Sequence, residues 1–200
     1  MHTAYIGMGA NLASWAGTPE DTLKAAALRL ESLGRAVCRS SLYRTDPVGF
    51  TSQPHFVNAV LALETELQPR ELLQGLLAIE QEFGRDRAAG LANGPRTLDL
   101  DILLVGDLTV SEPGLEVPHP RLGERAFVLI PLCEIAPQIF DARRGKTVSQ
   151  LLHTLQDGLG SDSHAVVQIQ SGGWRSGSDD AGRGEPGVTN RRDHDRDHRG

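Results

Sequence analysis

Disulfides, membrane spans and surplus positive charge are all missing from this sequence, and each absence removes a class of function. The two cysteines, Cys38 and Cys133, lie far apart in apolar context, so both read as reduced core thiols of a cytoplasmic protein. No apolar run approaches the roughly 20 residues that span a bilayer. The start Met1-His2-Thr3-Ala4-Tyr5 lacks the basic region of a signal peptide, which supports the same expectation of a cytoplasmic chain away from membranes. Lys and Arg number 20 against 26 Asp and Glu, a formal charge of −6, which argues against a general nucleic-acid binder. Lysine is nearly absent, with Lys24 and Lys146 the only two. The arginines Arg85, Arg87, Arg96, Arg121 and Arg125 instead gather in sequence around one acidic stretch. Two phosphate-binding patterns also fail for lack of a glycine. Leu12 stands where the turn Gly7-Met8-Gly9-Ala10-Asn11-Leu12 needs its third glycine. Phe140 stands where Gly145-Lys146-Thr147 needs the upstream glycine of a P-loop. No internal repeat is present.

What is there suffices for one domain. Apolar residues thin out after about Gly158, so the expected unit is 1–158, with a possible edge strand reaching 170. From Ser171 to Gly200 the isolated apolar residues cannot recover the entropy of ordering, and a disordered tail is expected whose deletion changes nothing. Residues 5–9 read as a buried strand. A helix then opens with Thr18 as N-cap, Pro19 at the first helical position and Asp21 in capping-box position. Its apolar face is Leu23, Ala26, Ala27, Leu30 and Leu33, and Gly34 is placed to stop it. Residues 37–43 read as one strand, 45–54 as a loop, and 56–63 as a central strand whose odd member is Asn58. A buried unpaired amide there costs about 1–3 kcal/mol, so Asn58 must bond backbone or ligand. The second helix begins at Gln68-Pro69 and ends at Gly84. Glu80 near its C-terminal end works against the helix dipole and calls for a partner. A basic loop, 85–93, follows. Beyond the next strand come a small hairpin, helices over 127–135 and 148–155, and an edge strand over 165–169. The order β-α-β-β-α-β is the split plan of a ferredoxin-like α+β domain with C-terminal additions.

The acidic stretch is Gly94-Pro95-Arg96-Thr97-Leu98-Asp99-Leu100-Asp101-Ile102-Leu103-Leu104. Leu98, Leu100, Ile102 and Leu104 recur with period two, so Asp99 and Asp101 share the opposite face, their Cα atoms roughly 6.5–7 Å apart. Two carboxylates that close repel unless a divalent cation such as magnesium relieves them. Arg96 adds a fork suited to phosphate oxygens. Taken alone, the pair also suits a two-metal nuclease or nucleotidyltransferase, and the fold a non-catalytic ligand sensor.

The motifs together resemble the hydroxymethyl-dihydropterin pyrophosphokinase family of folate biosynthesis. The resemblance rests on Tyr43-Arg44-Thr45, Phe56-Val57-Asn58-Ala59, Gly84-Arg85-Asp86-Arg87, the Gly94 to Asp101 stretch, Val117-Pro118-His119 and Glu134-Ile135-Ala136-Pro137. It implies transfer of the β,γ-diphosphate of ATP to the hydroxymethyl group of a reduced pterin, with release of AMP, by a monomer that needs neither nucleic acid nor membrane. It further implies two magnesium ions on Asp99 and Asp101, and Arg85 and Arg96 on the transferring phosphates. Glu80, Arg87, Ile102, His119 and Arg125 would line the ATP side. On the pterin side, Thr45 and Asn58 would read the ring edge and Phe56 and Phe127 would sandwich it. Asn93 and Pro120 stand where some members carry aromatics, which bears on loop closure and product release.

Overall fold

The strand made first, β1 (His2–Ala10), lies inside the sheet because its two partners come from far along the chain. The computed structural model describes residues 1–47, 52–86, 94–159 and 165–174. β4 (Phe56–Thr65) pairs antiparallel with β1 along its length, Gly9 opposite Asn58. β5 (Asp99–Val105) pairs with the other side of β1, Gly9 opposite Asp99 and Gly7 opposite Asp101. β2 (Arg35–Arg39) and β3 (Leu42–Thr45) both pair with β4, and β10 (Val166–Ile169) extends the sheet beyond β3. The resulting order, β10-β3-β4-β1-β5, is the antiparallel sheet expected of the ferredoxin-like α+β plan.

One face of the sheet is covered by α1 (Pro19–Leu30) and α2 (Pro69–Glu82). Leu23, Ala26 and Leu30 from the first, and Leu72, Leu76 and Ile79 from the second, pack on Ile6, Met8, Leu61, Leu63 and Leu100. The capping box is formed as read, Thr18 accepting from the Asp21 N–H while Asp21 accepts from that of Thr18. Among the described residues the other face is covered in part by the later helices. There α3 (Ala126–Ile135) and α4 (Val148–Leu159) enclose Val60, Leu103 and Leu104 with Leu129, Leu132 and Val148. Two hairpins, β6 (Val110–Glu112) with β7 (Leu115–Val117) and β8 (Phe140–Asp141) with β9 (Lys146–Thr147), lie outside the main sheet. No helix among the described residues is long and apolar enough to cross a membrane.

Four expectations change. The single strand over 37–43 is two, broken at Ser40-Ser41. The first helix ends at Leu30, so Leu33 lies in the following turn and Gly34 is not its stop. Gly34 is instead required by a close approach, since a Cβ there would sit 2.3 Å from the Glu64 carbonyl oxygen. The period-two pattern of β5 holds through Ile102, after which a register shift against Tyr5 and Ile6 turns both Leu103 and Leu104 to the α3/α4 side. Finally, the tail expected to be free of contacts from Ser171 is docked at its start. Trp174 packs on the core and its Nε1 donates to the Ser40 carbonyl at 2.8 Å. A bulky indole with a donor recovers the ordering entropy that its glycine neighbours cannot. Residues 175–200 lie outside the described residues, as do 48–51 and 87–93, which include Phe50, Arg87 and Asn93.

Candidate active site

Four strands bring polar residues together on the second face, beyond the part packed by α3 and α4. Opposed residues in antiparallel strands point to one side, so the register lines up Tyr43, Asn58, Gly9 and Asp99 in one row across four strands. Asp101 follows two residues along the same strand, opposite Gly7. The expected sharing of a face by the two aspartates therefore holds. Gly9 keeps the row low, since a Cβ at that position would lie 3.1 Å from Asn58 Oδ1 and 3.9 Å from Asp99 Cβ. Glycine here is where a ligand can approach the sheet closely.

Asn58 is buried, and its Nδ2 donates to Thr45 Oγ1 at 2.8 Å. The expectation of a backbone or ligand partner missed this third option, a side chain on the neighbouring strand. Half-buried Phe56 starts β4 beside Thr45, with the Arg96 guanidinium 5.4 Å from its ring centroid. Phe127, in the first turn of α3, has the Arg125 guanidinium 5.6 Å from its centroid. Each of the two aromatic rings thus has an arginine guanidinium over it.

The arginines converge on Asp99. Arg85 reaches Asp99 Oδ1 at 2.6 Å and Arg96 reaches Asp99 Oδ2 at 2.8 Å. Repulsion between Asp99 and Asp101 is therefore relieved at Asp99 by two guanidiniums, and the argument that repulsion alone demands a metal loses its force. Arg96 is further held by its Nε, which donates to the Gly94 carbonyl at 3.2 Å. Arg85 also donates to the Leu98 carbonyl at 2.8 Å.

Beside this lies a cleft of about 240 Å³, lined by Leu73 of α2, by Leu100, Asp101 and Ile102 of the edge strand, by Leu115 and by His119. A cis Val117-Pro118 bond precedes His119, whose N–H donates to the Leu103 carbonyl at 2.9 Å. Its Nδ1 accepts from the Arg121 N–H at 3.1 Å. Burial, then the cations Arg125, Arg121 and Arg144, push its pKa down to about 4. Arg125 is itself lowered, by burial first and then by Arg121. A cation cluster that disfavours its own charge is primed for an anion.

Glu80 is not where a ligand could meet it. It is 1% exposed, and its Oε1 accepts from the Leu100 N–H at 2.8 Å. The partner sought for its unfavourable charge is thus the free edge of β5, and the ATP-lining expectation for Glu80 becomes one of holding the strand that carries both aspartates. Two contributors escaped the sequence reading. Asn11, 3% exposed, accepts from the Arg96 N–H at 2.7 Å and donates to Gln53 Oε1 at 3.0 Å and the Pro54 carbonyl at 3.1 Å. Glu134 accepts from the Ser41 N–H and Oγ, both at 2.8 Å, and from Tyr43 Oη at 2.9 Å. A buried Asn directly after an apolar strand was the signal available for Asn11; Glu134 stood in the sequence only as part of the Glu134-Ile135-Ala136-Pro137 motif, which assigned it no role.

Comparison with known proteins is consistent. A family model described as 7,8-dihydro-6-hydroxymethylpterin-pyrophosphokinase matches residues 5–137. The 2-amino-4-hydroxy-6-hydroxymethyldihydropteridine pyrophosphokinase of Synechocystis is 45% identical over 153 residues, 76% of this chain and 75% of that one. The enzyme of the same name from Pseudomonas aeruginosa is 48% identical over 137 residues, 68% and 81% of the two chains. A crystal structure of Plasmodium falciparum HPPK-DHPS superposes with a TM-score of 0.64 at 15% identity, covering 80% of this chain but 45% of that longer one. At that identity the likeness is one of fold.

Proposed function

The chain belongs to the 7,8-dihydro-6-hydroxymethylpterin-pyrophosphokinase family, and on that premise we propose that this polar part of the sheet's second face is where the transfer takes place. The protein is a diphosphotransferase of folate biosynthesis, with ATP and the reduced pterin as its substrates. The row Asn58–Gly9–Asp99 carries the reading, because it sets a ring-reading amide and a phosphate-side carboxylate on the two strands that flank β1, with Gly9 as the low floor between them.

In this reading the pterin lies between Phe56 and Phe127, stacked as flat rings prefer, with Asn58 and Thr45 at its polar edge. ATP enters the cleft beside Ile102 and His119, its phosphates drawn to Arg121 and Arg125. The N-terminal end of α3 contributes further positive potential. Arg85 and Arg96, each holding one oxygen of Asp99, exchange it for the β- and γ-phosphate oxygens, which carry more charge and suit a guanidinium's fork. The pterin hydroxymethyl oxygen then bonds to the β-phosphorus, its proton is released, and the bond to the α-phosphate oxygen breaks to free AMP. Alignment and charge neutralisation supply the rate, since phosphoryl chemistry asks little covalent help.

Asp99 and Asp101 are hard oxygen donors on one strand face, which suits magnesium. Among the described residues no group of three His, Cys, Asp or Glu gathers as a closed metal site. Two carboxylates that leave the remaining positions to water and phosphate are the usual protein share for this ion. Two magnesium ions held there would neutralise the developing phosphate charge.

The test is AMP release from ATP and magnesium with and without 6-hydroxymethyl-7,8-dihydropterin. Release that requires the pterin, in a one-to-one ratio with the pterin diphosphate, is expected; equal release without it would overturn the assignment. Asp99→Asn and Asp101→Asn should each keep the fold and lower turnover at least about 100-fold, the scale of losing one preorganised charge.

A further inference from the structure

The break between β2 and β3 removes Ser40 and Ser41 from the strand assignment while both stay buried, at 0% and 7% exposed. Buried polar groups left unpaired cost about 1–3 kcal/mol each, so their partners are informative. Ser40 bonds its neighbour β4 twice, N–H to the Val60 carbonyl and Oγ from the Val60 N–H, both 2.9 Å. Ser40 Oγ also donates to the Ser41 carbonyl at 2.8 Å, within the break itself, and the remaining partners come from the C-terminal part of the chain. The Ser40 carbonyl accepts from Trp174 Nε1, and Ser41 Oγ accepts from Gln168 Nε2 at 2.8 Å. The Ser41 N–H and Oγ both donate to Glu134, which also receives Tyr43 Oη. The Trp174 ring is fixed in turn by Arg39, whose guanidinium lies 5.2 Å from its centroid.

This junction feeds the site from two directions. β3 runs on from Ser41 to Tyr43, which lies in the row with Asn58, and to Thr45, which accepts from Asn58 Nδ2. Glu134 sits in the last turns of α3, whose first turn carries Phe127. The two walls of the slot are therefore tied together at the Ser40-Ser41 break, well away from any reacting atom. We propose that Glu134 and Trp174 are positioning residues for the pterin: they hold the break, and through it Thr45 and Asn58 on one wall and Phe127 on the other, at the spacing that fits the ring. This rests on the reading of Asn58 as the pterin-edge group.

Steady-state kinetics on the full chain test it with three variants. Glu134→Gln keeps the shape but loses the charge that gathers three donors, and Trp174→Phe keeps the ring over Arg39 but deletes the N–H. Asn58→Ala removes the ring contact itself. Glu134→Gln should raise the pterin KM about tenfold, one hydrogen-bond's worth on the affinity scale, while the ATP KM changes less than twofold. Trp174→Phe should do the same more weakly. The double variant should cost less than the product of the two, because both act on one junction. Equal rises in both KM values, or an unchanged pterin KM with only a lower melting temperature, would make the junction merely structural. If Asn58→Ala also leaves the pterin KM unchanged, the underlying site reading fails instead. If Glu134→Gln does not fold, Trp174→Phe alone decides by the same split.

Discussion

Arg96 shows how much one side chain is asked to do. Its guanidinium touches Asp99, the Gly94 carbonyl and the rim of Phe56, and its own N–H is held by Asn11. Lysine could supply the charge but not the fork, so Arg96→Lys should lower single-turnover rates about 10²–10³-fold with little change in melting temperature. A variant that melts early yet turns over at the wild-type single-turnover rate would instead make Arg96 a structural strut for Asp99. His119 makes a second prediction. Its folded pKa of about 4 lies below the ordinary value of 6.5, so the unfolded chain binds its proton first as pH falls. Stability should therefore decline from pH 6.5 towards 4, and the His119 imidazole should titrate near 4 by NMR in the free protein. Binding of ATP should raise that midpoint, because the triphosphate offsets Arg121, Arg125 and Arg144. A free-protein midpoint above 6 would contradict the buried, cation-ringed placement. The aspartate pair and the Thr18 cap were legible because their logic is local, a period of two and a spacing of three. The roles of Asn11 and Glu134 were not, because their partners lie 85 and 93 positions away and the local patterns around them do not say what they bond.

Elements were read more reliably than the joints between them. Helical periodicity located α1 and α2, an apolar run located α3, and the run 165–169 was read as a possible edge strand, found at Val166–Ile169. The break at Ser40-Ser41 was missed, since serines in a β-rich run carry no signal until the groups that replace the ladder are known. The Leu103-Leu104 shift was missed for a related reason: an apolar pair fits either face of a strand covered on both sides. Gly34 was given the wrong job, and the correction can be checked. A methyl group 2.3 Å from the Glu64 carbonyl cannot be accommodated without moving β2 from β4. Gly34→Ala should lose about 1–3 kcal/mol in urea unfolding, whereas a helix-stop role at a position past the helix end would cost almost nothing. Pterin-dependent AMP release should persist below the lowered melting temperature, because the joint lies at the pole of the sheet opposite Asn58 and Asp99.

For the whole molecule, the docked Trp174 changes what truncation means. Ending the chain before Ser171 leaves the Ser40 carbonyl buried without its donor and Arg39 without its ring, so the melting temperature should fall by several degrees. An unchanged melting curve would show that Trp174 adds nothing to stability. The position of β1 has a consequence of another kind, in time rather than energy. Its partners are β4 and β5, so the apolar segment holding Ala4, Ile6, Met8 and Ala10 leaves the ribosome before either of them and cannot be closed on both sides until Val105 has followed. At roughly 5–20 residues per second, that wait is on the order of ten seconds. Pairings so distant in sequence also close slowly once the whole chain is free. Since Asn58, Gly9 and Asp99 belong to three strands that meet only when β5 docks, the row comes into being with β5, and the rest of the site waits for His119, Arg125 and Phe127 to follow, so no nascent chain shorter than that can bind its substrates.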